Sequence, residues 1–249
     1  MRNNRFIYRT VLSTLAVIVL IRVGMNRGVL AYDFYGWEHG ASGYEYAIRQ
    51  AKDEEKPLIL YFNTDWCKWC KRLNTKYLSS SEIEKFLSDI PKVEINSDKG
   101  AAELALSRKY GVRGFPSFLV LIPALSQKTE KIHPFRTTGS WTTDEFQSAV
   151  RKKIAGQYNN KGYSCIRSRR YEEALKYYEM ASDFDPENAY AYYGMGISYH
   201  SIAYSQRDPE KLGMAEENFL RALEIDPNHK ASRKELKRLR LAMKKMGIR

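Results

Sequence analysis

Cys67 and Cys70 stand two residues apart in DWCKWCKRL, each directly behind a tryptophan, with Lys68 and Lys71 alongside. A CxxC pair serves three kinds of chemistry: half of a zinc site, a structural disulfide, or thiols that exchange with other disulfides. The one further cysteine is Cys165, and His39, His133, His200 and His229 are scattered along the chain. A tetrahedral zinc site normally draws on a second close pair, so no metal is expected, and no other cofactor. A permanent bridge and an exchanging pair both stay open, although exposed CxxC bridges tend to be the labile ones.

An exchanging pair needs one sulfur held as thiolate and a second within reach of it. The neighbouring elements fit that need. LILYF (58–62) is a short apolar, aromatic run of the kind found in buried strands, and a helix is expected from Cys67 towards Tyr77. Cys67 at the head of that helix faces unpaired N–H groups and the positive end of the macrodipole, and Lys68 adds to the field. These make Cys67 the expected attacking thiol and Cys70, one turn further in and less exposed, the resolving one. Trp66 is expected to pack beside the sulfur.

The surrounding pattern alternates strands and helices. Tyr44, Ile48 and Ala51 mark a helical stripe before Pro57, and SSSEIEKFL (79–87) opens a second helix with capping residues. VEIN (93–96) reads as a strand, 101–112 as a helix and PSFLVLI (116–122) as a strand. Lys131 to Thr138 pairs with the last of these as a hairpin. Thr142 or Thr143 caps a helix running to about Ala155. Together these give an α/β layered domain.

On these residues the chain resembles the thioredoxin superfamily: an apolar strand ending in WCxxC, followed some forty residues later by KYGVRGFPSFLV. DWCKWCKRL is most similar to its exported or membrane-tethered branch. The resemblance covers residues 36–155 and implies a central mixed sheet flanked by helices, a cis-proline at Pro116, and thiol–disulfide oxidoreductase activity on protein thiols or disulfides. A cis-proline turns its neighbour's backbone towards the thiols, so Phe115 is expected to pair with an incoming peptide, with Trp69 beside it. Many members carry a buried acid six residues before the first cysteine as a proton acceptor. Tyr61 stands there instead, a poor base with a reference pKa of about 10. Proton handling then falls to water, Glu94 or Asp65. Between the cysteines stands Lys-Trp, which leaves open whether the pair reduces or oxidises.

The second half repeats itself. The 34 residues AGQYNNKGYSCIRSRRYEEALKYYEMASDFDPEN (155–188) return from Ala189, so that Gly162 matches Gly196, Ala174 Ala215, Tyr178 Phe219, Ala181 Ala222 and Pro186 Pro227. The spacing and the small, aromatic and proline positions resemble the tetratricopeptide repeat, which implies an all-α array that binds a protein or peptide partner. Two repeats (about 155–188 and 189–229) carry a seven-residue insertion around SQRDPEK, expected to lengthen the second copy's first helix or its turn. Leu236, Leu239, Met243 and Met246 form an apolar stripe on a final basic helix that caps the array, a better fit than a helix lying in a membrane. Cys165 is expected to be a buried, inert thiol, and the many tyrosines to be core.

Charge is concentrated at the ends. Residues 1–32 carry five arginines and no acid, and residues 230–249 carry nine basic groups and one Glu, while the net charge is +12. Terminal charge of this kind argues against nucleic-acid binding, which gathers cations on a folded surface. MRNNRFIYR leads into the uncharged TVLSTLAVIVLI (10–21), so residues 1–31 read as a hydrophobic helix. It is either an uncleaved signal-anchor, with the body facing the periplasm or extracellular side, or a cleaved signal peptide leaving a periplasmic protein. The expected protein is thus an extracytoplasmic thiol–disulfide oxidoreductase with a partner-binding array (156–249). The rival is a non-catalytic assembly factor on a thioredoxin-like scaffold.

Overall fold

The computed structural model describes residues 36–125, the backbone of 130–132, and 142–248. The apolar segment expected as a signal-anchor, and most of the expected 131–138 hairpin, lie outside them. Among the described residues no helix is long and apolar enough to cross a membrane.

The first half runs β1 (Glu38–His39), α1 (Gly40–Asp53), β2 (Leu58–Asn63), α2 (Lys68–Leu73), α3 (Ser81–Phe86), β3 (Lys92–Asn96), α4 (Ala101–Lys109), β4 (Ser117–Leu121) and β5 (Glu130–Ile132). The sheet order is β1-β3-β2-β4-β5. The first three strands are parallel, and β4 and β5 join antiparallel. All of β2 is buried, as the continuous apolar run LILYF requires of a strand covered on both faces. Leu58, Leu60 and Phe62 meet Tyr44, Ala47 and Ala51 of α1 and Leu106 of α4. The alternate Tyr61 turns to the opposite face, where its ring lies 6.1 Å from Phe118. α4 stops three residues short of the expected 112, because the chain turns at Gly111 with φ 60°.

Thr142 and Glu145 form a reciprocal capping box that opens α5 (Thr143–Arg167). This helix was expected to end near Ala155 and instead runs on to Arg167, 25 residues in all. It runs through Gly156 and Gly162 without a break, so the boundary between the two halves falls inside one helix. After it come α6 (Tyr171–Phe184), α7 (Ala189–Gln206), α8 (Glu210–Ile225) and α9 (Lys230–Lys245). The insertion lengthens α7, which runs to Gln206 before Arg207 turns left-handed with φ 55°. Leu236, Leu239 and Met243 of α9 are buried against Leu212, Ala215 and Phe219 of α8. The fourth residue of the expected stripe, Met246, is 48% exposed because it caps the helix beyond its last packed turn.

The paired small residues of the repeats sit where rings cross. A Cβ on Gly162 or Gly194 meets the ring of Tyr178, and one on Gly196 lies 2.5 Å from the Phe219 ring. Gly196→Val is therefore expected to destabilise by about 2–3 kcal/mol, through overpacking against a ring that has no room to retreat. Gly156 has nothing within 4 Å of its added Cβ, so Gly156→Ala is expected to be neutral or to stabilise by up to about 1 kcal/mol. Thermal melts of the two variants check the contrast.

The two halves share more than α5. Gln157, 1% exposed, donates from Nε2 to Val120 O at 3.1 Å and accepts from Ile122 N at 3.1 Å. Tyr158 donates to Glu55 O, and Lys176 pairs with the Glu55 carboxylate at 3.1 Å. Leu58 lies opposite Leu121. All these contacts therefore gather at the end of the sheet where β2 begins and β4 ends. The cysteines follow the other end of β2, a strand length of about 16 Å away.

Candidate active site

β2 ends at Asn63, and a short turn delivers Cys67 as the N-cap of α2. Its backbone is extended, and its sulfur accepts a hydrogen bond from Cys70 N at 3.0 Å. The two cysteines are joined in a disulfide, with Cα atoms 5.2 Å apart. The helix passes into a π turn at Asn74–Leu78. The Phe115–Pro116 peptide bond is cis.

In the bridged form both cysteines are buried, Cys67 at 3% and Cys70 at 2% exposed; the expected difference concerns the reduced thiols. The bridge ties Cys67 Sγ back over the first turn, onto the Cys70 N–H, which removes the difference that one turn of helix otherwise makes. Trp66 and Trp69 stand out into solvent, 69% and 50% exposed. Trp66 leans edge-on against Phe115, with ring centroids 6.0 Å apart. Arg72 lies over the Trp69 ring at 5.7 Å. Lys68 and Lys71 are exposed beside them. The expected site residues Cys67, Cys70, Trp66, Phe115 and Pro116 thus gather on the surface at the end of β2, with Trp69 and Lys68 on the rim.

Tyr61 is fully buried and donates to Asn74 Oδ1 at 2.7 Å. Burial pushes its pKa far above the ordinary tyrosine range, with the Glu94 charge adding to the effect. It is a proton-holding donor and not a base. Tyr61→Phe strands the Asn74 acceptor in the core, so a loss of about 1–3 kcal/mol in stability is expected. The pH profile of any thiol reaction is expected to stay where it is, which stopped-flow kinetics checks.

Asp65, one of the suggested proton acceptors, is engaged by other partners. It pairs with Lys99 Nζ at 3.0 Å and accepts from Asn96 Nδ2 at 2.7 Å. Lys99 first, then Asn96, hold its pKa below the ordinary carboxylate value. A depressed carboxylate pKa stabilises the fold above the unfolded pKa and loses that contribution as pH falls through the folded one. Asp65→Asn is accordingly expected to lower stability near neutrality and to converge on wild type as pH falls below about pH 4, which flattens the acid limb, as read by denaturant titration at stepped pH.

Glu94 has a different environment. Strand register sets it opposite both Tyr61 on β2 and His39 on β1. Its carboxylate accepts from Asn63 Nδ2 and meets His39 Nδ1 at 2.9 Å. Asn63, Asn74 and His39 were not singled out from sequence; strand register brings Asn63 and His39 to Glu94, and Asn74 reaches Tyr61 from the π turn. Cys165 is fully buried against Ala174, Tyr178 and Met195, and burial pushes its thiol pKa up.

A thioredoxin-like domain profile matches residues 44–154, and TPR repeat and tetratricopeptide repeat profiles match 162–202 and 197–229. The chain joins a thioredoxin-like domain to tetratricopeptide repeats. Among curated proteins, the disulfide bond reductase DsbH of Chlamydia pneumoniae is 32% identical over 98 residues, covering 35% of this chain and 56% of that protein. The protein disulfide isomerase-like 2-1 of Oryza sativa subsp. japonica is 28% identical over 110 residues, covering 44% and 28%. The chain thus spans about half of the first and about a quarter of the second. Among solved structures, a thioredoxin from Thermus thermophilus superposes with a TM-score of 0.38 at 25% identity, covering 47% of this chain and 85% of that one. In this chain the thioredoxin-like domain carries the cysteine pair and the cis-proline, and the repeats begin on its last helix.

Proposed function

We propose that this chain is an extracytoplasmic thiol–disulfide oxidoreductase whose repeats hold a protein partner. The observation that carries the reading is the Cys67–Cys70 bridge at the head of α2, its first sulfur hydrogen-bonded by Cys70 N, in a domain with a cis Phe115–Pro116 bond. In the reduced protein the Cys67 thiolate attacks a substrate disulfide. A mixed disulfide forms on Cys67, and one substrate thiolate leaves with a proton from solvent. Cys70, as thiolate, then attacks Cys67 Sγ. The internal bridge re-forms, and the second substrate thiol departs. Two electrons have passed to the substrate. Run backwards, the same steps oxidise a dithiol. The name of the reductase relative supports the reducing direction. Phe115 offers its backbone to an extended peptide, Trp66 and Trp69 supply apolar contact, and Lys68 favours the thiolate.

The repeats join the sheet at the end away from the cysteines, which supports a role in tethering a partner rather than in lining the cleft. The apolar segment 10–21 behind an arginine-rich lead supports export and membrane attachment, with the body outside the cytoplasm. Equilibration of the purified protein with glutathione buffers tests the reading. An oxidoreductase gives a reversible two-electron midpoint between about −270 and −120 mV, with the reducing direction at the lower end. A bridge that resists reduction throughout that span marks a scaffold.

A further inference from the structure

The outward side of α9 is a second surface that the redox reading leaves unused. Its inward side is consumed by the cap, where Leu236, Leu239 and Met243 are buried. On the opposite side Lys230, Lys234, Lys237, Leu241 and Lys245 follow one another at spacings of three or four, so they share one stripe of the helix, and Ile248 follows beyond its end after Gly247 turns left-handed. All six are exposed, Leu241 at 57% and Ile248 at 40%. The single acid of residues 230–249, Glu235, is taken by Arg238 at 2.9 Å. Arg240, on the flank, is taken by Glu216 of α8 at 2.6 Å. Among the described residues the four stripe lysines meet no carboxylate within ion-pair distance. Nothing in the repeats therefore neutralises the stripe.

We propose that this stripe docks on the surface of an anionic lipid bilayer. The partner is argued from charge and shape. Lysine ammoniums on long apolar stems, interrupted by one exposed leucine and followed by an isoleucine, suit the boundary between headgroups and acyl chains. The stripe is the outward side of one terminal helix, about 24 Å long, and offers no groove for an extended chain. It carries no aromatic ring on which a base would stack and no arginine fork for bidentate phosphate or guanine contacts, which separates it from nucleic-acid surfaces. Docking lays the array's last helix along the bilayer and does not depend on the thiols.

The test uses the full chain with its Cys67–Cys70 bridge intact, Cys165→Ser, and a nitroxide on Leu241→Cys. Vesicles of phosphatidylcholine with about 30% phosphatidylglycerol are compared with phosphatidylcholine alone. The arginine-rich N-terminal segment itself favours anionic vesicles, so recruitment of the chain is not the readout; the label at 241 and the α9 lysine variants report on α9 alone. Docking predicts that the label gains oxygen accessibility on anionic vesicles alone. The gain falls at least tenfold in apparent affinity when salt rises from about 0.1 M to about 0.5 M. Lys234→Glu with Lys237→Glu and Lys245→Glu lowers it about a hundredfold, and the Gln versions lower it less, with melting curves unchanged for both sets. An unchanged label on anionic vesicles, or an equal response to neutral ones, overturns the proposal. So does tighter binding of the label site to duplex DNA or to poly-glutamate, which assigns the stripe to a polyanion instead. The redox midpoint is indifferent to every one of these outcomes.

Discussion

Cys70→Ser is expected to convert the protein into a covalent trap. With Cys67 still able to attack and no second sulfur to release the substrate, mixed disulfides accumulate on Cys67, visible as adducts that dithiothreitol removes. Cys67→Ser forms none. In a steady-state assay of protein-disulfide reduction, Cys67→Ser lowers kcat/KM by at least about a thousandfold, or about 4 kcal/mol of transition-state stabilisation, since each tenfold corresponds to about 1.4 kcal/mol. The size follows from chemistry: neither remaining thiol substitutes, because Cys70 is buried inside α2 rather than at its head, and Cys165 is buried in the first repeat with its thiol pKa raised. Cys165→Ser therefore leaves the rate within about twofold. Equal adduct formation by the Cys67 and Cys70 variants would contradict the assignment of roles.

The largest expected stability effect lies at Gln157. Its side-chain amide is 1% exposed and closes two backbone groups at the end of β4, Val120 O and Ile122 N. Neither group has water to turn to when the amide is removed. A stranded buried donor or acceptor costs about 1–3 kcal/mol, so Gln157→Ala is expected to lose about 2–5 kcal/mol. For a unit of this size that lowers Tm by roughly 5–15 °C. Gln157→Glu keeps an acceptor for Ile122 N but sets a buried carboxylate oxygen against Val120 O, and is expected to lose at least as much as alanine at neutral pH. Because Tyr158 and Lys176 reach Glu55 from the same region, the loss is expected in one cooperative transition of both halves. Two separated transitions in calorimetry would contradict the shared-helix architecture.

These two sites also mark how far the amino-acid sequence carries. The cis bond at Pro116 was legible only through the resemblance that WCxxC and GFPSFLV carry together, whereas the apolar run ahead of the cysteines announced a buried strand and the head-of-helix position as local patterns. The repeats were legible for the same reason: Tyr178 and Phe219 answer Gly162 and Gly196 in register. Gln157 was not legible. It sits on a helix that continues without a stop, and a polar residue there reads as a solvated position until the end of β4 is seen beside it. Near-equal burial of Cys67 and Cys70 escaped for a related reason, since helix position predicts exposure of a free thiol and not of one bridged over its own first turn. Glu94 was noticed as an acid, but its partners His39 and Asn63 come from strands 31 or more residues away. Only pairing of β1, β3 and β2 sets the three side by side. Asp65 looked equally eligible in sequence and is spoken for by Lys99.

The central claim is that Cys67, once reduced, is an ionised and reachable nucleophile. Alkylation of the reduced Cys70→Ser protein by iodoacetamide, followed at the Cys67 peptide by mass spectrometry from about pH 4 to about pH 10, tests it most directly. A half-maximal rate below about pH 7.5 is predicted, from the Cys70 N–H at its sulfur and the head of α2. A rate that climbs only near pH 8.5, like an ordinary free thiol, or a sulfur that stays unmodified throughout, would contradict it.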